Sequence, residues 1–575
     1  MTSSFVLKKN TCMKKYKNIM QKSTFALLIV LLGMISCEDF LDRPTEDNYT
    51  VDSFYKTDEQ CFQAVNPVYN SPWYDFQRGF FKVGEVLAGN YYWGNSPYLT
   101  FTINSTDEDL VNMSASLWSV NAYCNGILEN IDLKSGPNVT EITKNTVKGE
   151  ALVLKAMAYF YLVRIYGAVP IIHNNSAMIS EGGYNEVYRA TIPNIYDYII
   201  MTLEKAIEWL PEKNKPGRID KYSAYGLLSK VYLTKSGYGM TGSRNEEDLN
   251  KAAVNAEKVI YQSGRTLLPK YSDIFRLENN FNEESLIAWH WVVSNQWTSQ
   301  NTLQSDLGIV GFDEYGANWG GYTGPSVDLQ EAFGENALSL TRNYVDARRK
   351  ATMMMYGDKY EYFWVDKGGF DYTEFAVESM EYQSATGANE VKHLVGNNND
   401  HVIGIGTNMD RMQTSLSTHL LRLADVYLIY AEAILGNNSS TSDAKALKAF
   451  NDVRGRSLQG YQPRTSITWN DIWKERRLEL ACEGDRWYDY VRWHYYNPQG
   501  AITEIKNQKR SSYSGLKDYY ETGVLDPEVT KYDENPSIPN ITDEHFHLPF
   551  PDTDLTMNPN LLKDPVEFDL STISY

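Results

Sequence analysis

Three stretches of this 575-residue chain repeat one pattern, and that pattern limits the folds open to it. They read ALVLKAMAYFYLVRIYG (151–167), KYSAYGLLSKVYLTKSGYG (221–239) and LLRLADVYLIYAEAILG (420–436). Each alternates small residues with Tyr and Leu on one helical face, and each is followed, after a loop, by a more charged helical stretch. Small side chains let two helices approach and large ones fill the groove between them, so the pattern predicts stacked helix pairs. Helical periodicity extends over 117–131, 147–166, 192–210, 222–234, 249–261, 420–435, 442–456, 472–481 and 486–493. The 147–166 stretch is the strongest, and Gly167 and Pro170 close it as helices commonly stop.

Two regions break the pattern. Residues 263–418 are rich in Gly, Asn, Tyr and Trp, with short β-like runs such as LIAWHWVV (286–293), and 497–575 is mostly loop. The expected fold is therefore mainly α: a tetratricopeptide-like scaffold of helical pairs carrying a loop-rich, partly β ligand-binding subdomain. The expected order is an N-terminal helical region (51–262) and a C-terminal region (263–575), the latter split into a loop-rich part (263–418), helices (419–496) and a loop-rich end (497–575).

The N-terminus carries a different signal. From Met13 it reads MKKYKNIMQKSTFALLIVLLGMISC, a basic stretch followed by an apolar run over 25–35, and EDFLDRPTED follows. That run is shorter than the ~20 residues needed to span a bilayer, so it reads as a signal peptide over 1–36, with Met13 an alternative start. Ser36 then Cys37 resembles a bacterial lipoprotein cleavage site, although Met34 stands where Leu is usual. Cys37 is thus the expected lipidation site, with 37–50 as a flexible tether.

Charge excludes some partners. The chain carries −19 overall; residues 1–36 hold six Lys and no acid, leaving the remainder at −25. Such a surface argues against nucleic acid and against electrostatic adhesion to anionic lipid. Cys61, Cys124 and Cys482 form neither a disulfide framework nor a zinc spacing, and buried free thiols are expected, with one bridge left open. No His or Cys spacing indicates a metal, and no motif calls for a cofactor. In ERRLELACEGDRWYDYVRW (475–493), Glu475, Arg476 and Glu479 have the spacing of intra-helix ion pairs, with Arg422 and Asp425 in a similar role. Trp487, Tyr490 and Trp493 recur on one face as core. A glycoside hydrolase needs two carboxylates facing across a sugar; among 73 acidic residues some pair can always be nominated, so nomination carries no weight.

Six segments in order resemble the RagB/SusD family of outer-membrane lipoproteins: CEDFLDRPTED (37–47), GEALVLKAMAYFYLVRIYGAVPII (149–172), RLADVYLIYAEA (422–433), DVRGR (452–456), ERRLELACEGDRWYDYVRW (475–493) and LPFPDTDLTMNPNL (548–561). The resemblance spans almost the whole chain. It implies a non-enzymatic, surface-exposed nutrient-binding lipoprotein that captures oligosaccharides, or peptides in some members. It further implies a lid role on a SusC-like TonB-dependent transporter barrel, and reads the acids after Cys37 as a surface-export signal.

Sugar recognition needs flat rings for apolar C–H faces and polar groups for hydroxyls. Three loops combine both: GNYYWGNSPY (89–98) with Tyr92, Trp93 and Asn95; SNQWTSQ (294–300) with Trp297; and GFDEYGANWGGYTG (311–324) with Tyr315, Asn318, Trp319 and Tyr322. Glycines beside the rings are expected to keep stacked faces clear. Packing of the same rings against the helices is the competing reading. Peptide ligands, an acidic-site glycoside hydrolase and a ligand-free helical scaffold complete the alternatives.

Overall fold

The computed structural model describes residues 54–183, 185–375, 383–533 and 541–575. Cys37, the signal stretch and the tether lie outside the described residues.

Among the described residues nine helices form the scaffold: α1 (Glu108–Lys134), α2 (Glu141–Tyr166), α3 (Ile192–Trp209), α4 (Lys221–Lys235), α5 (Glu246–Gln262), α6 (Leu423–Leu435), α7 (Ala444–Gly455), α8 (Trp469–Glu479) and α9 (Arg486–His494). Their starts are set by side-chain caps. Asp107, Thr140 and Asn245 accept from the third backbone N–H beyond them, and Asp220 with Ser223 and Thr468 with Asp471 form capping boxes. Each helix from α1 to α7 packs on the next. The array continues from α5 to α6 although 160 residues separate them in sequence, so the loop-rich segment is an insertion into a continuous helical stack. Small residues act at the contacts as the pattern implies. A Cβ on Gly149 of α2 would stand 2.6 Å from Leu210 Cγ, and one on Gly226 of α4 would stand 3.1 Å from Leu421 Cδ2.

The strand expected at 286–293 is β2 (Ser285–Trp289), paired antiparallel with β4 (Thr418–Arg422); β1 (Tyr91–Tyr92) pairs with β3 (Gly324–Pro325). Residues 420–422 therefore belong to a strand and not to the helix expected over 420–435. All five positions of β4 are buried, Thr418, His419 and Arg422 among them, so the strand carries no exposed–buried alternation to distinguish it from the buried helix that follows.

The insertion is anchored by an aromatic core. Trp73, Phe76 and Phe80 surround Trp289 at ring-centroid distances of 5.3, 5.8 and 5.0 Å, and Tyr161 of α2 lies 5.0 Å from Phe76. These contacts fix the segment 71–81 between scaffold and insertion.

The charges of α8 behave differently from their spacing. Glu475 pairs with Arg348 (2.5 Å) and Arg454; Glu479 with Arg348, Arg422 and Arg456; Arg476 with Asp425 (2.6 Å) and Asp489 (3.0 Å). The side chains of Glu475, Arg476 and Glu479 are at most 1 % exposed. A buried charge needs a nearby opposite charge, and other elements supply it here, so these are tertiary ion pairs and not pairs along one helix. Burial raises the Glu479 carboxyl, but Arg456, Arg422 and Arg348 outweigh it and hold the group at about 2. Trp487 and Tyr490 are fully buried and Trp493 nearly so. Cys61, Cys124 and Cys482 are free and buried. No described helix is long and apolar enough to cross a membrane.

Candidate functional site

The segment 71–81 alternates inward and outward side chains. Trp73, Phe76 and Phe80 enter the aromatic core, while Tyr74 is half-buried and Arg78 exposed on the outer side. Trp297, 49 % exposed, stands edge-on to Tyr74 with ring centroids 6.4 Å apart, and Gln296 Nε2 donates to Ser71 Oγ at 3.3 Å. Arg78 Nε lies 3.8 Å from Asp306 Oδ1, and the same oxygen accepts from Trp319 Nε1 at 3.0 Å. Trp319 and Tyr322 are 39 % and 52 % exposed. A Cβ on Gly94 would lie 3.4 Å from the Tyr322 ring. An exposed strip thus runs Trp297–Tyr74–Arg78–Trp319–Tyr322, joining the 294–300 and 311–324 loops to the edge of the 89–98 loop.

Beside the strip, Trp319 and Tyr322 wall a pocket of about 710 Å³ together with Val310, Gln383, Tyr513 and Lys517. That volume lies in the range of small-ligand sites. Among the described residues that line it, none carries a carboxylate.

The eight residues singled out from sequence fall into three groups. Trp297, Trp319 and Tyr322 present rings on the strip. Tyr315 is exposed on the same 311–324 loop, Asn95 is exposed, and Tyr92 is half-buried. Trp93 and Asn318 turn inward. Trp93 is 5 % exposed, 6.2 Å from Phe81 and 6.1 Å from Tyr91, with Lys82 Nζ 5.1 Å from its ring centroid. The 91–93 run alternates in and out as extended chain does: Tyr91 and Trp93 share the inner side and Tyr92 faces outward. Asn318, 3 % exposed, accepts from Asp313 N–H and donates to Gln304 C=O at 2.6 Å, so it braces the loop from within.

The loop glycines do something other than clear ring faces. A Cβ on Gly320 would stand 2.4 Å from the Leu307 backbone, and one on Gly324 would stand 2.0 Å from Ala388 O. They allow the 319–324 main chain to lie directly on its neighbours, which sets where Trp319 and Tyr322 project.

Sequence reasoning missed Tyr74, Arg78, Gln383, Tyr513 and Lys517. The first two had a signal, since buried Trp73, Phe76 and Phe80 leave Tyr74 and Arg78 four apart on the opposite side. Tyr513 and Lys517 come from a region nearly 200 residues further along the chain, and nothing local marks them. Among the described residues no group of three or more His, Cys, Asp or Glu is arranged to hold a metal.

Comparison with known proteins agrees with this architecture. Residues 270–566 match the family model described as SusD family, and residues 39–233 match one described as starch-binding associating with outer membrane. A SusD-like protein of Bacteroides ovatus is 34 % identical over 566 residues, covering 96 % of this chain and 98 % of that protein. A crystal structure described as containing xylogluco-oligosaccharide is 32 % identical and superposes with a TM-score of 0.77, over 89 % of this chain and 99 % of the other. A laminarin-binding SusD-like protein, 21 % identical, shares the fold with a TM-score of 0.64 over 89 % of this chain and all of the other. With matches running across both halves and a relative of this identity over nearly the full length, the chain belongs to the SusD family.

Proposed function

We propose that this protein is a non-catalytic glycan-binding lipoprotein that captures oligosaccharides at the cell surface and hands them to a SusC-like TonB-dependent transporter, for which it acts as a lid. The observation that carries the binding role is the exposed Trp297–Tyr74–Arg78–Trp319–Tyr322 strip beside the 710 Å³ pocket. Spaced flat rings suit the apolar faces of pyranoses, and Arg78, Gln383 and Lys517 offer donors for hydroxyls. Relatives described with xylogluco-oligosaccharide and laminarin support a glucan-type ligand. In this reading Trp93 and Asn318 support the site, Tyr92, Asn95 and Tyr315 stand at its rim, and the lipid sits on Cys37.

Titration calorimetry with xylogluco-oligosaccharide tests the strip. Trp319→Ala and Trp297→Ala are each expected to weaken binding about tenfold, the loss of roughly one stacked ring, with melting temperature unchanged; Trp93→Phe keeps wild-type affinity. Wild-type binding in both alanine variants rejects this site. For the anchor, Cys37→Ser is expected to move the protein from the membrane to the soluble fraction of cells, and a variant still in the membrane pellet would refute lipidation there.

A further inference from the structure

A line of charges runs behind the exposed rings. Lys82 Nζ lies over the buried Trp93 ring and also pairs with Asp109. Asp109 Oδ1 is 3.7 Å from Arg78 Nε, Arg78 Nε is 3.8 Å from Asp306 Oδ1, and Asp306 accepts the Trp319 indole N–H at 3.0 Å. The inner and outer tryptophans are therefore joined through four alternating charges. Asp306 is 4 % exposed and Arg78 half-exposed, so the line leads from core to surface.

The Trp319 main chain is fixed independently. Its N–H donates to Ser305 C=O at 3.0 Å, and the next N–H, of Gly320, donates to Gly308 C=O at 2.9 Å. That leaves the side-chain torsions as the freedom that decides which way the ring faces, and the indole bond to Asp306 restrains them.

We propose that Asp306 is a positioning residue of the binding strip: with Arg78 it holds the Trp319 indole in its ligand-facing orientation, and its charge makes that hold depend on pH. This rests on the glycan-binding reading and adds its regulation. The groups facing Asp306 are Arg78, Lys82 and Asp109, with Tyr74 alongside; Glu108 and Tyr322 act on Arg78. Burial raises the Asp306 carboxyl, Arg78 and the Trp319 bond draw it down, Asp109 raises it and Lys82 lowers it, leaving it at about 6. Above that pH the carboxylate attracts Arg78 and accepts a charge-assisted bond from the indole. Below it the neutral carboxyl loses both gains, and the ring is freer to leave the binding orientation.

The test compares wild type and Asp306→Asn at pH 7.5 and 5.0 with xylogluco-oligosaccharide. Wild-type affinity is expected to fall about tenfold between pH 7.5 and 5.0, the loss of one charge-assisted bond. Asp306→Asn is expected to bind at both pH values as wild type does at 5.0. A packing role alone would weaken the variant equally at both. An Asp306→Asn protein that matches wild type at pH 7.5, or a folded wild type whose affinity is flat, overturns the proposal. Trp319→Ala separates the two levels. If it weakens binding while Asp306→Asn does not, only the positioning role fails; if it binds as wild type, the strip fails as well. Should Asp306→Asn not fold, the wild-type affinity at the two pH values decides by itself, a tenfold fall supporting the proposal and a flat affinity overturning it. A ligand-free readout is the emission difference between wild type and Trp319→Phe. It is expected to change between the two pH values, and to be constant when both proteins carry Asp306→Asn; a constant difference in the wild-type background overturns the proposal.

Discussion

Arg422→Met is expected to destabilise the protein by about 3–5 kcal/mol at pH 7, the cost of leaving buried charges without their partner. Arg422 is 1 % exposed. Its Nε lies 2.6 Å from Glu483 Oε2, its Nη1 lies 2.6 Å from Glu284 Oε1 and 3.2 Å from Glu479 Oε1, and its Nη2 donates to Glu479 C=O at 3.0 Å. Met fills similar volume, so the loss is electrostatic and not a cavity. Arg456 remains on Glu284 and Glu479, Arg348 on Glu479 and Lys392 on Glu483, so each acid keeps at least one cation while losing the shared fork. The sign of the pH dependence follows from the lowered carboxyls. Glu479 and Glu483 lie below their ordinary value in the native protein. Their contribution is full above the unfolded carboxylate range and is lost as pH falls, for Glu479 through about 2. In the variant their values rise, so protonation relieves the unpaired charge. The gap in denaturant stability between wild type and Arg422→Met should therefore narrow from pH 7 to pH 4. Equal stability at pH 7, or a gap independent of pH, would refute this account.

This cluster also shows how far sequence could be read. The helices were legible because small and large residues alternate at helical spacing, and that spacing survives whatever packs on it. The role of the α8 charges was not, because i, i+4 spacing is the same whether a helix is bathed in water or enclosed. What encloses Glu475 and Glu479 is Arg348, Arg422 and Arg456, which local sequence does not bring together. The site divides in the same way. Trp297, Trp319 and Tyr322 were legible as rings in Gly- and Asn-rich loops, since such loops lie at the surface. Trp93 had the same composition around it, but pairing of Tyr91–Tyr92 with Gly324–Pro325 decides which side of the extended run faces inward, and that partner lies more than 200 residues away. Asn318 stands beside exposed rings and so reads as a polar group for ligand hydroxyls, yet both ends of its side-chain amide are taken up within the protein by Asp313 N–H and Gln304 C=O.

A second cluster has the opposite pH response. Glu390 lies at the end of the buried strand Ala388–Glu390, opposite Met353, and is fully buried. One of its oxygens accepts from Lys392 N–H at 3.0 Å; the other has no hydrogen-bond partner among the described residues. Burial raises the carboxyl, Lys392 offsets part of this, and the group stands at about 8. Around it sit Glu85, raised by burial to about 7, together with Tyr91 and Cys482, whose backbone takes a positive φ of 63°. A carboxyl raised on folding stabilises fully below its unfolded value and loses that contribution as pH rises through the folded one. Wild type should thus lose stability from Glu390 between about pH 4.5 and 8. Glu390→Gln has nearly the shape of the neutral acid and does not ionise. The variant is expected to match wild type near pH 5 and to exceed it by about 4 kcal/mol at pH 8.5, given 1.36 kcal/mol for each unit of difference over roughly three units. Because wild type and variant share every other titrating group, the difference between their denaturant curves isolates this one. A difference constant from pH 5 to 8.5 would mean that Glu390 is ionised and paired throughout, and that Lys392 outweighs burial there.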